Sequence, residues 1–192
     1  MTAPTASLTT HERVVAAAAE LTLEVGWAGV TMGKLADRVG VSRQTVYNEV
    51  GSKPRLAEEM VLAELTKFLA VVDAAFDAHP ADLVEAIRAA SRGVLELARE
   101  NTLLQAVVSR SYGAETELLP LLTTRNDAVL LAAAGAVRSR VSAYRIDIED
   151  ARLDAAIDMV VRLVLSHVVH PVGEPAGTAD DIAWMSERTL RP

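Results

Sequence analysis

The stretch that decides the fold is TMGKLADRVGVSRQTVYNEVGSKPRL, residues 31–56. It contains two short segments with helical spacing separated by Gly40, and a third segment begins near Lys53. Thr31 and Ser42 are residue types that cap helix N-termini, and glycine suits the left-handed turn at the end of a helix. The stretch therefore predicts two short helices joined by a tight turn, in helix-turn-helix proportions.

The second short helix is predicted to have two different faces. Val41 and Val46 are placed to face inward, and at about 100° per residue the polar side chains fall on the opposite side. Thr31 and Lys53 flank that polar side at helix starts. DNA phosphates lie near such positions when the second helix of a helix-turn-helix enters the major groove. Arginine pairs with guanine, and glutamine or asparagine with adenine, in the major groove. The predicted DNA-binding residues are Thr31, Arg43, Gln44, Thr45, Tyr47, Asn48 and Lys53.

A helix-turn-helix pattern alone is a weak signal, because a polar turn on an ordinary helical bundle has the same spacing. Here the pattern extends from Arg13 to Leu56, and over this range the chain resembles the N-terminal domain of the tetracycline repressor (TetR) family. Tyr47 followed six residues later by Lys53 is the most diagnostic part. The resemblance implies a dimeric, ligand-responsive DNA-binding repressor. The matching residues are Ala18, Gly26, Thr31, Leu35-Ala36, Gly40-Val41-Ser42, Thr45-Val46-Tyr47, Lys53 and Leu56.

Two residues depart from the family pattern. Val50 stands where many members have Phe, which is a conservative apolar change. Glu49 places an acid at the end of the predicted reading helix, where phosphates would repel it. It could accept a hydrogen bond from cytosine N4 or point along the backbone edge, and the sequence leaves both readings open.

Charge is distributed unevenly along a chain whose net charge is −7. Residues 1–55 contain six basic and five acidic side chains, which leaves the remainder at −8. Phosphate contact requires local positive charge, so DNA should meet the N-terminal part. We predict a DNA-binding domain over residues 1–55 and a ligand-binding and dimerisation domain over residues 56–192.

Helical spacing continues through the rest of the chain, and no strand pattern is present. Apolar residues make up 51% of the sequence, enough for a large core, so we predict an all-α fold of about nine helices. The chain has no cysteine, no N-terminal signal-peptide pattern and no apolar stretch long enough to span a bilayer. A cytoplasmic protein without a membrane partner is therefore expected. Predicted helices include Thr10–Val25, Thr102–Tyr112 and Pro120–Tyr144.

The middle helices should form an effector-binding core, an expectation that comes from the resemblance. Large apolar residues at helical spacing are more commonly simple core, and isolated polar ones are more commonly solvated. An apolar effector, such as an acyl chain, a lipid-derived compound or a drug, suits this composition better than a sugar or a nucleotide. The candidate ligand contacts are Phe68, Phe76, Ile87, Arg92, Leu104, Gln105, Val108, Tyr112, Arg125 and Asn126.

The helix predicted over Asp150–Val169 has an unusually broad apolar arc. The arc covers about 160°, whereas one core-facing stripe needs little more than about 100°. This excess predicts a second packing surface, and the resemblance implies that the last two helices form a four-helix homodimer interface. A helix fully buried within a monomer is the alternative. The predicted interface residues are Ile157, Val160, Val161, Val164, Val168, Trp184 and Met185.

Catalytic and metal-binding patterns are weak throughout. His167 and His170 lie one turn apart and could share a metal, but histidines at such a position more commonly cap a helix. No third ligand follows nearby, so no metal or other cofactor is predicted. No nucleophile elbow or glycine-rich phosphate loop is present, and a non-enzyme is expected. The alternatives are a helical-bundle metal enzyme, which would need Glu-x-x-His pairs that the sequence lacks, and a helical protein-interaction module without DNA binding.

Overall fold

A computed structural model describes residues 8–109 and 118–190 of the 192-residue chain. Within these ranges the regular secondary structure is entirely helical, which confirms the all-α prediction. One of the ten helical segments, α7, is a single turn, so the described ranges contain the predicted nine longer helices. The segments are α1 (Thr10–Gly29), α2 (Met32–Val39), α3 (Arg43–Val50), α4 (Lys53–Ala78), α5 (Leu83–Glu100), α6 (Thr102–Ser109), α7 (Leu119–Leu122), α8 (Asp127–Val141), α9 (Asp150–Val169) and α10 (Pro175–Leu190).

The first three helices and the first turns of α4 form a small unit that we call the head. Its core contains fully buried Trp27, Leu35, Val46 and Leu56, one from each of these helices. Gly40 joins α2 to α3 with φ of 77°, a left-handed conformation that a residue with a Cβ adopts only with strain. The turn therefore fixes how α3 leaves α2, as the sequence predicted.

The remaining helices form a larger unit that we call the body. Here α4 and α5 form an antiparallel hairpin through the turn at His79-Pro80, α10 packs along α5, and α8 packs against α4 and α9. At Gly93 the hairpin is so close that an added Cβ would lie 2.6 Å from Cγ1 of Val71. None of the described helices is long and apolar enough to cross a membrane.

Three of the described elements connect the head and the body: α4, α6 and the single turn α7, whose Leu121 belongs to the head core and whose Leu122 packs on the body core. Helix α4 runs without interruption past residue 55, and its Leu56, Ala57 and Met60 belong to the head core. Helix α6 contributes Leu103 to the head core and Leu104 to the body core. The domain boundary at residue 55 remains a prediction, and the structure shows that one continuous helix crosses it.

The helix predicted from Pro120 to Tyr144 is wrong in one respect, because α7 and α8 are separate. The amides of Thr123, Thr124 and Arg125 all donate to the carbonyl of Pro120, at 3.2, 3.0 and 2.6 Å. Threonine and asparagine are weak helix formers, so the Thr-Thr-Arg-Asn run closes a turn there. The helix predicted over Thr102–Tyr112 is described as far as Ser109, and Tyr112 lies outside the described residues.

Candidate functional site

Helix α3 presents one polar face to solvent. Arg43, Gln44, Tyr47 and Asn48 are all exposed, and we call these four residues the reading face. Val46 and Val50, on the opposite side of the helix, are completely buried. The structure therefore brings together on one surface the four residues that helical spacing placed there.

The side chains of the reading face interact in pairs one turn apart. Arg43 Nη2 lies 3.4 Å from the hydroxyl of Tyr47, and its guanidinium carbon is 5.6 Å from that ring centroid. Gln44 Nε2 donates to Asn48 Oδ1 at 2.9 Å. These contacts join side chains one turn apart, as pairs at i and i+4 on a helix surface commonly do.

The flanking residues Thr31, Thr45 and Lys53 occupy helix starts. Thr31 is exposed and caps α2 by accepting from the amide of Lys34 at 3.2 Å. Thr45 is half-buried, and its amide donates to the capping Ser42 hydroxyl at 3.0 Å. Lys53, predicted as a phosphate contact, donates its ammonium to the carbonyl oxygen of Trp27 at 2.8 Å. It also lies 4.9 Å from the Trp27 ring centroid.

Most positive charge in the head is already paired within the protein. Arg38 bridges two acidic side chains of α1, and its hydrogen bond to Glu24 lowers the pKa of that carboxyl. Arg43 lies on the reading face and interacts only with Tyr47 among the described residues. The basic side chains bound to carbonyls or carboxylates are Arg13, Lys34, Arg38, Lys53 and Arg55.

Glu49 is half-buried at the end of the reading helix, where the sequence left its role open. Its main-chain oxygen lies 3.2 Å from Nδ1 of His11, and Nε2 of the same histidine lies 3.6 Å from Glu59. This last turn of α3 is therefore packed against α1 and α4.

The body contains an apolar cavity of about 170 Å³. It lies between α4 and α5, with walls from α6, α8 and α9, and Leu122 of α7 at its edge. Phe68, Phe76, Ile87 and Leu104, all predicted ligand contacts, line it. The cavity is thus lined mainly by the middle helices, from which an effector-binding core was predicted, with a further wall from α9.

Three polar residues line the cavity, namely Glu64, Ser91 and Asn101. Asn101 Nδ2 donates to Glu64 Oε2 at 2.8 Å, and Lys67 Nζ donates to the other oxygen of Glu64 at 2.6 Å. Asn101 also caps α6, because its Oδ1 accepts from the amide of Leu104 at 2.8 Å. None of the three was predicted from the sequence, although a polar residue within an otherwise apolar helical arc is a signal that could have found them.

Both parts of the chain match known families. Residues 14–60 match the bacterial regulatory proteins of the tetR family, and residues 82–188 match the bacterial Tetracyclin repressor C-terminal domain. The chain belongs to the tetracycline repressor family. It is therefore a ligand-responsive transcriptional regulator with a helix-turn-helix head, as the residues of the head predicted.

Similar proteins agree with this assignment over most of the chain. The transcriptional regulator AlkX of Mycobacterium tuberculosis is 28% identical over 174 residues, covering 90% of this chain and 81% of AlkX. The TetR-family repressor AlkX of Dietzia, implicated in biodegradation of n-alkanes, has a TM-score of 0.75 at 25% identity, covering 93% and 98% of the two chains. FadR of Bacillus subtilis, solved with stearoyl-CoA, shares the fold, with a TM-score of 0.56 at 13% identity over 93% and 96%.

Several predicted ligand contacts do not line the cavity of this TetR-family protein. Arg92 points away from the apolar face of α5 and donates to Glu96 at 2.7 Å. Arg125 is exposed beside Glu58, and Gln105 donates to the carbonyl of Ala98 at 2.9 Å. The remaining members are Asn126, which precedes α8; Val108, which packs on the body core; and Tyr112, outside the described residues.

The predicted dimer residues of α9 also make contacts within the chain, and their part in an interface stays a prediction. Ile157 and Val168 belong to the body core, and Val160, Val161, Val164 and Val168 line the cavity of the same chain. The broad apolar arc of α9 therefore reflects a helix that packs on a core and also walls a cavity. On the outside of the last two helices, the exposed large apolar residues are Met159 of α9 and Trp184 of α10, at 65% and 58% exposure. Met185, the remaining predicted interface residue, is half-buried.

His167 and His170 end α9. Nδ1 of His167 lies 2.9 Å from the carbonyl of Leu163, and the amide of His170 donates to the carbonyl of Ser166. No group of three or more potential metal ligands occurs among the described residues. Both histidines therefore make the hydrogen bonds that are usual at the C-terminal end of a helix.

Proposed function

We propose that two copies of this chain bind a palindromic DNA operator through their reading faces, and that an apolar effector in the body cavity changes the operator affinity. The protein acts by binding, without a catalytic step, in the bacterial cytoplasm where the DNA lies. The observation that carries the proposal is that Met60 and Leu103 each belong both to the head core and to the cavity wall.

This shared wall gives a physical route from effector to DNA. Met60 is 2% exposed, and the Thr22 hydroxyl of α1 lies 3.9 Å from its sulfur. Leu103 is 7% exposed in α6, which contacts α1 directly. An occupant that displaces either side chain alters the packing of α1, on which α3 rests. By favouring one arrangement of the head, the effector shifts the population that fits DNA, and either release or retention can result.

A dimer is needed because one reading face carries little positive charge. Arg43 is the one basic residue of α3, and a single weakly basic head has few phosphate contacts. The two heads of a dimer bind half-sites about 34 Å apart. Once the first head is bound, binding of the second costs far less entropy. The exposed Met159 and Trp184 support an interface on the outer sides of α9 and α10.

The proposed effector is an aliphatic chain, such as an acyl compound. The cavity is lined by aliphatic side chains and two phenylalanines, with few polar groups. Two similar proteins point the same way: the Dietzia AlkX repressor is implicated in n-alkane biodegradation, and FadR was solved with stearoyl-CoA. An apolar chain transferred from water into such a cavity gains the free energy of burying its surface.

The proposal is tested by selecting binding sites for the full chain from random DNA and measuring affinity by fluorescence anisotropy at several salt concentrations. We expect a palindromic site, a steep loss of affinity with salt, and a loss of about tenfold or more for Arg43→Ala. Arg92→Ala removes an exposed arginine of the body and should bind as the wild type does. An interaction module without DNA binding would select no site and show no such salt dependence.

A further inference from the structure

We propose that the cavity selects an aliphatic chain bearing one uncharged hydrogen-bonding group, such as a primary alcohol, and that Ser91 recognises this group. The inference deepens the proposed function and rests on it in taking the cavity as the effector site. Three observations support it: the cavity is elongated, its other polar residues are hydrogen-bonded within the protein, and the Ser91 hydroxyl has no hydrogen-bond partner among the described residues.

The cavity is elongated along the α4–α5 hairpin. Its lining extends on α4 from Met60 to Phe76, a span of about 24 Å at the rise of an α-helix. On the antiparallel α5 it extends back from Ile87 to Val94, and Asn101, which follows α5, lines it as well. A space between two parallel helix axes accommodates a linear chain better than a compact ring system.

Two of the three polar lining residues have their hydrogen-bonding needs met by the protein. The carboxylate of Glu64 accepts from Lys67 and from Asn101, and the side-chain oxygen of Asn101 accepts from the amide of Leu104. Because these hydrogen bonds are made within the protein, Glu64 and Asn101 do not require a hydrogen-bonding group from a ligand.

Ser91 is different, because it is 4% exposed and its hydroxyl has no hydrogen-bond partner among the described residues. Some helical hydroxyls donate to the carbonyl one turn earlier, as Thr66 does to Leu62 at 3.1 Å, whereas the buried Ser186 hydroxyl of α10 also has no partner in the described part of the chain. A buried hydroxyl without a partner is costly. Ser91 differs from Ser186 in lining the cavity, and we infer that its hydroxyl is the group available to a ligand there.

The surroundings of Ser91 favour a neutral partner over an anion. On α5 the neighbouring lining residues are Ile87, Ala90 and Val94, and the ionisable group among the described lining residues is the acidic Glu64. A carboxylate placed here would lose its hydration for a single hydroxyl donor, which is unfavourable. An alcohol can both donate to and accept from a serine hydroxyl.

The position of Ser91 also orients the chain. It lies ten residues before Asn101 on α5, about 15 Å along the helix axis from the end of the cavity next to the head. With its polar group at Ser91, a ligand extends its alkyl part towards Met60 and Leu103. These are the residues shared with the head core.

The test is calorimetric titration of the full-length wild type, without DNA, with 1-octanol, 1-decanol and 1-dodecanol and with the matching carboxylates. We expect at least one alcohol to bind about tenfold or more tightly than its carboxylate at neutral pH. Ser91→Ala should lower the affinity for that alcohol about five- to tenfold, the loss expected for one hydrogen bond. Ser139→Ala, which removes an exposed hydroxyl from α8, should have no effect.

Thermal unfolding of each apo variant, together with the near-isosteric Ser91→Cys, separates recognition from folding. A Cys variant that folds and binds the alcohol more weakly supports the proposal. Carboxylates that bind as tightly as alcohols, no alcohol binding to the wild type, or an unchanged affinity in folded Ser91→Ala would overturn it. If the alcohols bind with the expected preference but leave operator affinity unchanged, the assignment of Ser91 stands and the proposed coupling to DNA fails.

Discussion

Lys53 and Arg43 were both predicted as DNA contacts, but the structure gives them different surroundings. The Lys53 ammonium is bound to the carbonyl end of α1 and lies against Trp27. Carbonyls at a helix C-terminus carry partial negative charge, so this lysine stabilises the head even when no phosphate is present. Arg43 interacts with exposed Tyr47 and contributes nothing to the core.

Replacing each of these residues by alanine should therefore give two different results. We expect Lys53→Ala to lower the free energy of unfolding by about 1 kcal/mol, or about 2–4 °C in melting temperature. Arg43→Ala should leave the melting temperature nearly unchanged. Both should weaken operator binding, measured by anisotropy. Equal melting temperatures for the two variants would contradict the role of Lys53 in the head.

The reading face could be predicted from the sequence because all four residues lie on one short helix, whose geometry fixes their directions. The ligand contacts could not, because they depend on how distant helices meet. Arg92 and Ser91 are adjacent on α5, yet one pairs with Glu96 in solvent and the other lines the cavity. Helical spacing shows that two such residues face different ways, but not which way the cavity lies.

The α4–α5 hairpin depends on a close approach at Gly93. A Cβ there would meet Cγ1 of Val71, whose β-branched side chain has few alternative rotamers. Gly135 in α8 provides a matched position, because a Cβ there would have no neighbour within 4 Å. Alanine substitutions at the two positions therefore distinguish the effect of helix propensity on stability from the effect of packing.

We expect Gly93→Ala to lower the free energy of unfolding by about 1 kcal/mol, since overpacking outweighs the gain in helix propensity. Gly135→Ala should raise it by about 0.5–1 kcal/mol, because an alanine loses less backbone entropy in a helix. Chemical denaturation of both variants measures the difference. A stabilised Gly93→Ala would show that the hairpin can open at no cost.

Helix α8 offers a second matched pair, because Ala133 lines the cavity and neighbouring Ala132 is exposed. Ala133→Leu should fill part of the cavity and weaken 1-decanol binding about tenfold or more, whereas Ala132→Leu should not. Calorimetry on both proteins gives the comparison. Unchanged binding in Ala133→Leu would mean that the ligand lies elsewhere.

The elements themselves were largely predictable, and the errors have physical causes. The break between α7 and α8 was missed because three amides share the carbonyl of Pro120, a local arrangement that apolar spacing does not report. The arc of α9 was correctly seen as too broad for one core stripe. Val160 and Val164, predicted for an interface with a partner subunit, lie on the cavity wall of the same chain, and the interface itself stays a prediction.

The assembled molecule should be a dimer held through the outer surfaces of α9 and α10. Light scattering should give twice the 20.5 kDa of one chain. Replacing Met159 and Trp184 together by glutamate should yield a monomer with weakened operator binding, because two buried charges would disrupt an apolar interface. Leu131→Glu, at a 78% exposed position on α8, is the control and should remain dimeric. A monomeric wild type would contradict the assembly.

The central claim is that the cavity and the reading face are coupled, and operator affinity measured with and without saturating 1-decanol tests it most directly. A coupling free energy of about 1–3 kcal/mol predicts a change of about 5- to 150-fold in the operator dissociation constant of the wild type. Ala133→Leu should keep the apo operator affinity and lose the response. The contradicting result is an unchanged operator affinity in the wild type, under conditions where calorimetry shows that the alcohol is bound.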